Sequence, residues 1–328
     1  MNKQKTIHIY YHIDYDGLVS AFLTRRLLEK KGFKVEYGEA LDYNEKTKEH
    51  WLEYPFKKPF VIVDFKYHPG VSGFVDHHEN HRPEKNTDHL SLYKYDADAP
   101  SAAILVSQLA KEKKISLGNV SQLVKSATTV DTADFAGHGL TPEDIVMAKT
   151  DVAKIVRVLE KDHTVVPKIL NDLQPHGFLE TIQSEWFGRW LKRIVKKPYI
   201  KDQVAEIQKE SFESIRKFLE RSKSDGFLVK YDMTKIPFNR YLPAMAYPKS
   251  VLWFGMAYYE GKYAVKFNLN PWASASDKAK LKDVHLGKLA EKFGGGGHAA
   301  IGTVYVYSRE EVQSLYNKIM PEIQKIVD

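Results

Sequence analysis

Residues 6–31, TIHIYYHIDYDGLVSAFLTRRLLEKK, decide the fold of the chain. The first part, Thr6–Tyr11, consists mostly of β-branched and aromatic residues and predicts a strand. The turn Asp14–Gly17 follows, and the apolar residues of Leu18–Lys31 then recur at helical spacing. A strand that runs through an acidic turn into a helix is the repeating unit of an α/β fold.

Two short apolar runs downstream extend the predicted sheet. Lys58–Asp64 (KPFVIVD) and Gly73–Asp76 (GFVD) both end in an acid, and such runs are typical of strands buried on both faces of a parallel sheet. Helices are predicted over Ser101–Glu112, with Ser101 as the N-cap, and over Val120–Val130. The alternation indicates an open parallel sheet, in which ligands bind outside the carboxyl ends of the strands.

The rest of the chain divides into a helical part and a mixed part. Residues 141–225 have a mostly helical pattern, beginning with the helix start Thr141–Pro142, whereas short strands separated by turns follow Gly226. We therefore predict a two-domain α/β protein, in agreement with its length of 328 residues. Its parts are a parallel-sheet domain at 1–140, a helical extension and connector at 141–225, and a smaller C-terminal α/β domain at 226–328.

The composition excludes several classes of protein. The chain has no cysteine, which rules out a disulfide scaffold, a cysteine nucleophile, a zinc–thiolate site and an iron–sulfur cluster. Every apolar stretch is far shorter than the roughly 18 residues that span a bilayer, and the N-terminus lacks the apolar core of a signal peptide. We therefore expect a cytoplasmic protein without a membrane partner.

The net charge of +7 leaves two interpretations open. The excess of positive charge lies in the C-terminal half, and the basic cluster Lys192–Lys197 stands beside Trp186, Phe187 and Trp190. Basic and aromatic side chains together suit single-stranded nucleic acid. An amphipathic helix with one apolar face and one solvated basic face has the same composition.

Four separate segments bring acids and histidines to the predicted edge of the first sheet. They are His12–Gly17, Asp64, Asp76–His78 and Asp131–Asp134. Each alone is compatible with a turn or a surface loop, but several acids at one edge repel one another unless a cation binds between them. Oxygen and imidazole ligands suit Mn²⁺, or Mg²⁺ with bound water, so we predict a divalent metal site. The remaining histidines, His81 among them, are expected in surface or structural positions.

A run of glycines in the C-terminal domain forms a second motif. It follows the predicted helix Leu286–Phe293 and precedes a histidine. Glycines let backbone N–H groups approach an anion closely, so the run predicts phosphate binding. The alternative is a flexible turn in which the first glycine caps the helix. The predicted substrate ligands are Gly294, Gly295, Gly296, Gly297 and His298.

Five motifs cover nearly the whole chain. They are HIDYDG (His12–Gly17), VIVD (Val61–Asp64), VDHH (Val75–His78), TTVDTADF (Thr128–Phe135) and FGGGGH (Phe293–His298). This combination resembles the DHH-family phosphoesterases that carry a DHH-associated C-terminal domain, a superfamily that includes oligoribonucleases and RecJ-like nucleases. The resemblance implies two Mn²⁺ ions, with Mg²⁺ as the alternative ion, and catalysis in a cleft between the two domains.

The resemblance places Asp64 between the two metal ions. Asp64 would bridge a first ion, held also by Asp14, and a second ion. His12 is a further ligand candidate, although many members place this histidine two residues earlier, where Tyr10 stands. The implied ligands of the second ion besides Asp64 are Asp16, His77 and Asp131.

The resemblance also implies catalytic and substrate-binding residues. His78 would lie beside the scissile phosphate. Members often grip a substrate phosphate with an arginine in the strand before the glycine run, whereas the comparable stretch Lys266–Asn270 (KFNLN) has none. Lys266, Asn268 or Asn270 is therefore predicted to contact the substrate instead, or the substrate differs from that of those members. The implied catalytic group is Asp64, His77 and His78.

The function predicted from these features is the hydrolysis of short oligonucleotides to mononucleotides by a manganese-dependent phosphodiesterase of the exonuclease type. Two bound metal ions would activate the attacking water. Alternative substrates are 3′-phosphoadenosine 5′-phosphate, cyclic or linear dinucleotides, and polyphosphate. A non-catalytic scaffold that binds nucleic acid is an alternative of another class. The sequence leaves the oligomeric state open, a homodimer included.

Overall fold

The first strand and helix form where the sequence predicts them. The computed structural model describes residues 5–43, 47, 49–83, 87–173, 186–236, 239–259 and 261–327. Strand β1 covers Thr6–His12 and helix α1 covers Tyr15–Lys30. The carboxylate of Asp14 accepts a hydrogen bond from the backbone N–H of Gly17 at 2.9 Å and so caps the start of α1.

The first sheet is parallel throughout, as predicted. Its described strands are β2 (Lys34–Leu41), β1, β3 (Phe60–Val63), β4 (Gly73–Asp76) and β5 (Leu92–Tyr95), in that spatial order. The strands β3 and β4 are buried along their whole length, which explains their continuous apolar runs. The sequence pattern does not predict β5, because it has only four residues, of which Leu92 alone is fully buried, and they show no clear periodicity.

Two further helices pack against α1. They are α2 (Ala102–Glu112) and α3 (Ser121–Asp131), and both agree with predicted helices. The hydroxyl of Ser101 accepts a hydrogen bond from the N–H of Ile104, which confirms Ser101 as the N-cap of α2. Because α3 ends at Asp131, this predicted site residue lies on the last turn of a helix.

The chain divides into two compact units that share the middle of the sequence. Unit 1 comprises Met1–Asp134 and Asp151–Gln203, and unit 2 comprises Phe135–Thr150 and Val204–Asp328. The residues of the predicted connector 141–225 are divided between the two units, and its helix over Pro198–Glu220 begins in unit 1 and continues in unit 2. Its described helices are α4 (Pro142–Val146), α5 (Asp151–Lys161), α6 (Val166–Leu173), α7 (Trp186–Ile194) and α8 (Pro198–Glu220).

Helix α7 carries the beginning of the basic cluster, and two of its three aromatic residues are buried. The side chains of Phe187 and Trp190 are only 6% and 5% exposed, whereas Lys192 and Arg193 are exposed. These two rings are therefore not available to stack on nucleic acid bases, and the partly buried Trp186 donates its indole N–H to the carbonyl oxygen of Asn119. The arrangement favours the second interpretation, the basic face of an amphipathic helix.

Unit 2 contains a mixed sheet, which confirms a second α/β domain. Its described strands are β6 (Ser222–Ser224), β7 (Leu228–Met233), β8 (Leu252–Tyr259), β9 (Lys262–Leu269), β10 (Gly296–His298) and β11 (Ile301–Val306). Their spatial order is β10-β11-β9-β8-β7-β6, in which β7–β8 is parallel and the other pairs are antiparallel. The remaining described helices are α9 (Leu242–Ala246), α10 (Ala275–Lys280), α11 (Leu286–Glu291) and α12 (Arg309–Val327). No helix in the described part of the chain is both long and apolar enough to cross a membrane.

Phe135 anchors the chain where it enters unit 2. Its ring stacks on Trp272 with centroids 5.5 Å apart and meets the ring of Tyr241 edge-on at 5.3 Å. The indole N–H of Trp272 donates a hydrogen bond to the carbonyl oxygen of Leu140 at 2.6 Å. All of these contacts lie within unit 2. Phe135 directly follows Asp134, the last residue of the first segment of unit 1.

Gly17 is required for the tight connection between β1 and α1. A Cβ atom at this position would lie 2.2 Å from the carbonyl oxygen of His12, a backbone atom. We expect Gly17→Ala to lower the free energy of unfolding by about 2 kcal/mol, because neither backbone segment can move away. Urea or thermal unfolding in the presence of a chelator measures this change.

Gly188→Ala is the matched control for that substitution. Gly188 lies inside α7, and a Cβ atom there meets no other atom within 4 Å. The substitution should raise the free energy of unfolding by up to about 1 kcal/mol, since alanine favours helix over glycine. Equal stability of Gly17→Ala and the wild type would contradict the close approach.

Candidate metal centre

The four predicted segments meet around the carboxylate of Asp64 in unit 1. Its Oδ2 lies 3.8 Å from Nδ1 of His12, and its Oδ1 lies 3.5 Å from Nε2 of His77 and 3.8 Å from Nδ1 of His78. Residues from β1, from the ends of β3 and β4 and from their following loops are therefore within one small volume. Asp64 follows β3, the central strand of the sheet, and this position explains why the other segments lie on both sides of its carboxylate.

The structure brings all six predicted metal ligands together in two adjoining groups. The donor atoms within each group all lie within 4.8 Å of one another. In the first group, Nδ1 of His12 is 3.0 Å from Oδ2 of Asp14. In the second, Nε2 of His77 is 3.4 Å from Oδ2 of Asp131. The first group is His12, Asp14 and Asp64, and the second is Asp16, His77 and Asp131.

Backbone groups hold the acids at this centre. Asp14 uses one oxygen to cap α1 and keeps the other beside His12. Asp16 accepts hydrogen bonds from the backbone N–H groups of Ala102 at 2.6 Å and Ala103 at 3.1 Å, which are the first residues of α2. The N-terminal ends of two helices thus stabilise two of the four acids.

Asp64 has an unusual backbone conformation. Its φ angle is +58°, in the left-handed region that a residue other than glycine seldom adopts. Its backbone N–H still donates to the carbonyl oxygen of Val75 at 2.8 Å, so the residue remains tied to β4. Strain of this kind is retained where it positions a functional group.

The unpaired polar atoms of the centre fit a divalent cation. Both carboxylate oxygens of Asp64 and Nε2 of His77 are buried without a hydrogen-bond partner. Nδ1 of His77 must carry the proton, because it faces the carbonyl oxygen of Ala99 at 3.0 Å. Nε2 therefore directs a lone pair toward Asp64 and Asp131, and this contact is repulsive unless a proton or a cation lies between them.

The charges of the centre shift its pKa values in opposite directions. Burial, reinforced by the neighbouring Asp16 and Asp14 carboxylates, raises the pKa of Asp64 well above its usual value. Burial likewise raises the pKa of Asp16 to about 6, although His77 opposes the shift. Burial also acts on Asp14, but the charge and hydrogen bond of His12 outweigh it and hold that pKa below its usual range. Protons and metal ions therefore compete for Asp64 and Asp16.

A hydrogen-bonded group of Asp76, His78 and His81 adjoins the centre. Oδ1 of Asp76 lies 2.8 Å from Nδ1 of His78, and Oδ2 lies 2.7 Å from Nδ1 of His81. Burial opposes ionisation of Asp76, but these histidines lower its pKa to about 2. Burial lowers the pKa of His78 despite the nearby Asp76. Nε2 of His81 lies 3.0 Å from the hydroxyl of Tyr43.

Sequence reasoning misses the place of His81 in this group. The prediction that His81 is a surface or structural histidine does not foresee that it is 4% exposed and bonded directly to the aspartate of the DHH motif. The feature of the sequence that could have indicated this role is spacing, since His81 follows His78 by three residues in DHHENH. A short 3-10 helix over Glu79–His81 brings the ring of His81 back to Asp76.

The glycine run serves partly as a helix cap. The N–H of Gly294 donates to the carbonyl oxygen of Glu291 at 3.1 Å, and that of Gly295 donates to Ala290 at 3.0 Å. These two groups are taken by the carbonyl oxygens at the end of α11 and are not available to an anion. The prediction that all four glycines offer their N–H groups to a phosphate therefore does not hold for Gly294 and Gly295. The part that remains is the edge strand β10, Gly296–His298, in which Gly297 and His298 are exposed.

Asn268 and Asn270, the two asparagines predicted to contact the substrate, are both buried. Asn270 is buried, its amide donates to the carbonyl oxygen of Ser250 at 2.7 Å, and its oxygen accepts from the N–H of Trp272 at 2.9 Å. The prediction that Asn270 contacts substrate is therefore wrong, since the side chain holds its own loop. Asn268 lies on β9 and is only 9% exposed.

We expect Asp64→Asn to stabilise the metal-free protein while it abolishes metal binding. The pKa of Asp64 is higher in the folded than in the unfolded chain, so its ionisation above the folded pKa costs stability. The variant should have a higher melting temperature than the wild type at pH 8, and the difference should shrink as the pH falls. Differential scanning fluorimetry with a chelator measures this effect.

Added Mn²⁺ should then distinguish the two proteins. At about 100 times its Kd, a ligand of the folded state stabilises by about 2.7 kcal/mol, which the wild type should show and Asp64→Asn should not. Asp98→Asn, at an exposed position, is the control that should behave as the wild type in both measurements. A Mn²⁺-induced stabilisation of Asp64→Asn equal to that of the wild type would contradict the central role of Asp64.

Comparison with solved structures identifies the fold. The pGpG-specific phosphodiesterase PggH from Vibrio cholerae matches with a TM-score of 0.60 and 18% sequence identity, over 98% of this chain and 99% of that chain. RecJ from Thermus thermophilus, in complex with Mn²⁺, matches with a TM-score of 0.57 and 14% identity over 98% of this chain, which spans about half (52%) of the RecJ chain. Comparisons with protein-family models and with curated proteins give no match. The chain therefore has the fold of the DHH-family phosphoesterases, the family that its sequence motifs resemble.

Proposed function

We propose that the chain is a manganese-dependent phosphodiesterase that hydrolyses short oligonucleotides, down to dinucleotides, to mononucleotides. The observation that carries this proposal is the buried carboxylate of Asp64, whose two oxygens are unpartnered between two groups of metal-ligand side chains. An oxygen and imidazole ligand set that can hold two divalent cations is suited to phosphoester hydrolysis. Mg²⁺ is the alternative ion, because the donors are equally acceptable to it.

The size of the substrate is inferred from the fold relatives and the motifs. PggH, which this chain matches over nearly the full length of both chains, is described as specific for pGpG, a dinucleotide. The resemblance of the sequence motifs to those of oligoribonucleases extends the range to slightly longer chains. A substrate of about two to five nucleotides, which a single two-metal centre can shorten step by step, is therefore the size that we propose.

When bound, the two cations would supply an activated water and neutralise charge on the phosphoryl oxygens. The two ligand groups around Asp64 would hold them, and the hydrogen bond to Ala99 keeps His77 in the tautomer that can bind a metal through Nε2. In the reaction, the water oxygen forms a bond to phosphorus and the bond from phosphorus to the leaving ester oxygen breaks. The water loses a proton and the leaving oxygen gains one.

His78 is the side chain that we assign to this proton transfer. Its Nδ1 donates to Asp76, and burial lowers the pKa of His78, which favours the neutral ring with a lone pair on Nε2. Nε2 can therefore take the proton from the attacking water and return it to the leaving oxygen. The exposed β10 edge of unit 2 would bind a further phosphate of the substrate.

A panel of substrates tests the proposal directly. The protein is incubated with Mn²⁺ and a 5′-labelled 2-mer, 5-mer or 24-mer, with 3′-phosphoadenosine 5′-phosphate, and with polyphosphate. We expect cleavage of the 2-mer and 5-mer, little cleavage of the 24-mer, and loss of activity with a chelator or in Asp64→Asn.

Two outcomes of the panel would contradict the proposal in different ways. Turnover of polyphosphate or of 3′-phosphoadenosine 5′-phosphate alone would assign the metal centre to that substrate. Binding of oligonucleotides without turnover of any substrate would favour the non-catalytic scaffold.

We expect Gly296→Leu to weaken substrate binding without disturbing the fold. A Cβ atom at Gly296 meets no other atom within 4 Å, whereas at Gly295 and Gly297 it would lie 2.2 and 2.0 Å from carbonyl oxygens of β11. A leucine side chain at Gly296 therefore fits but obstructs the exposed edge of β10. KM for the 2-mer should rise about tenfold, with the melting temperature and its Mn²⁺ dependence unchanged.

Ala279→Leu is the control, because Ala279 is also exposed in unit 2 but lies on α10. It should leave KM as in the wild type. An unchanged KM in Gly296→Leu would remove this edge from substrate binding.

A further inference from the structure

We propose that His81 is a positioning residue that fixes the ring of His78 through Asp76. The proposal rests on the proposed function, in which His78 transfers the proton. It extends that function to a residue outside the predicted metal ligands and outside the group assigned to catalysis. The geometry that supports it is a chain of hydrogen bonds from Tyr43 through His81 and Asp76 to His78.

Asp76 is the link between the two histidines. Its side chain is buried, and Oδ1 accepts hydrogen bonds from Nδ1 of His78 and from the backbone N–H of His77, each at 2.8 Å. Both of these donors act on the same oxygen, so they leave the carboxylate able to rotate about its Cβ–Cγ bond. The hydrogen bond from His81 to Oδ2 at 2.7 Å removes that freedom, because both oxygens are then held.

His81 is itself held at both ring nitrogens. An ionised carboxylate only accepts hydrogen bonds, so Nδ1 of His81 donates to Asp76 and Nε2 accepts from the hydroxyl of Tyr43 at 3.0 Å. The ring of Tyr43 in turn packs on Phe65 at 4.7 Å and meets the ring of His12 at 5.3 Å. The chain of hydrogen bonds therefore extends from His78 to Tyr43, whose ring contacts His12 on the opposite side of Asp64.

The same three residues could be taken for a third metal site, since the donor atoms of Asp76, His78 and His81 lie within 4.8 Å of one another. Both nitrogen–oxygen distances, however, are those of direct hydrogen bonds, 2.8 and 2.7 Å. Each carboxylate oxygen already has a proton donor. We therefore assign the group to orientation of His78, with two metal ions bound per chain whether or not His81 is present.

Two amide substitutions separate the functions of the two ring nitrogens of His81. The amide of asparagine can take the place of Nδ1 and keep the hydrogen bond to Asp76, whereas the longer glutamine places its amide near Nε2 and Tyr43. We expect His81→Gln to lower kcat for the 2-mer by about 10- to 100-fold, the usual cost of losing a partner that orients an active-site group. KM and the number of bound Mn²⁺ ions should not change. His81→Asn, which keeps the hydrogen bond to Asp76, should retain most of the wild-type kcat.

A double-mutant cycle shows whether His81 acts through His78. In a His78→Ala background, His81→Gln should lower kcat no further, because the residue that it orients is already absent. Tyr43→Phe keeps the ring but removes the hydroxyl, and it should lower kcat by less than His81→Gln does. It also provides the test if His81→Gln does not fold, which the melting temperature shows.

The outcomes separate this inference from the proposed function. A wild-type protein that is inactive on every substrate would overturn both. An active wild type in which the asparagine and glutamine variants lose equal kcat, or in which the losses of His78→Ala and His81→Gln multiply, would overturn only the positioning role. Loss of a bound Mn²⁺ in His81→Gln would instead identify His81 as a metal ligand.

Discussion

The structure depends on a buried carboxylate whose two oxygens have no hydrogen-bond partner within the described chain. Asp64 lies at the end of a central strand, and other carboxylates surround it. Burial of an uncompensated charge costs several kcal/mol, so the ionised form of Asp64 is favoured only where a cation binds it. The left-handed backbone of Asp64 adds to this cost. A divalent cation is the partner that its surroundings fit.

The fold prepares this centre by tying down the atoms that do not face it. Asp14 and Asp16 are each bonded to backbone N–H groups at a helix N-terminus, and His77 is bonded to a backbone carbonyl oxygen. Backbone partners of this kind belong to the sheet and the helices, so they do not rearrange when a ligand binds. The centre is therefore ordered in advance, which reduces the entropy that cation and substrate binding must overcome.

The sequence predicts those features that depend on neighbouring residues. The helix starts at Ser101 and Thr141 are confirmed, the second by a reciprocal pair of hydrogen bonds between Thr141 and Asp144. The candidate ligands Asp64 and His77 can be located because each follows a buried apolar run, and the parallel direction of such runs brings their ends together. The coming together of the ligands is thus largely encoded in local patterns.

Features that depend on distant contacts could not be predicted. His81 is part of the site only because a short turn brings it back to Asp76 and because Tyr43 arrives from the end of another strand. The amide of Asn270 donates a hydrogen bond to the carbonyl oxygen of Ser250, twenty residues earlier in the chain. No periodicity in the sequence indicates this contact. The sequence of the glycine run is typical of an anion site along its whole length. Its first two N–H groups, however, donate hydrogen bonds to carbonyl oxygens of the preceding helix. Where Asn268 acts, and whether catalysis takes place between the units, stay predictions.

The anchoring of Phe135 limits the free chain that follows the candidate metal centre. The candidate ligand Asp131 lies only four residues before Phe135, and Ala133 between them has a left-handed backbone with a φ angle of +53°. Only Thr132, Ala133 and Asp134 therefore separate the end of α3 from the residue that stacks on Trp272. The covalent step from one unit to the next is thus just three residues long beside a candidate metal ligand.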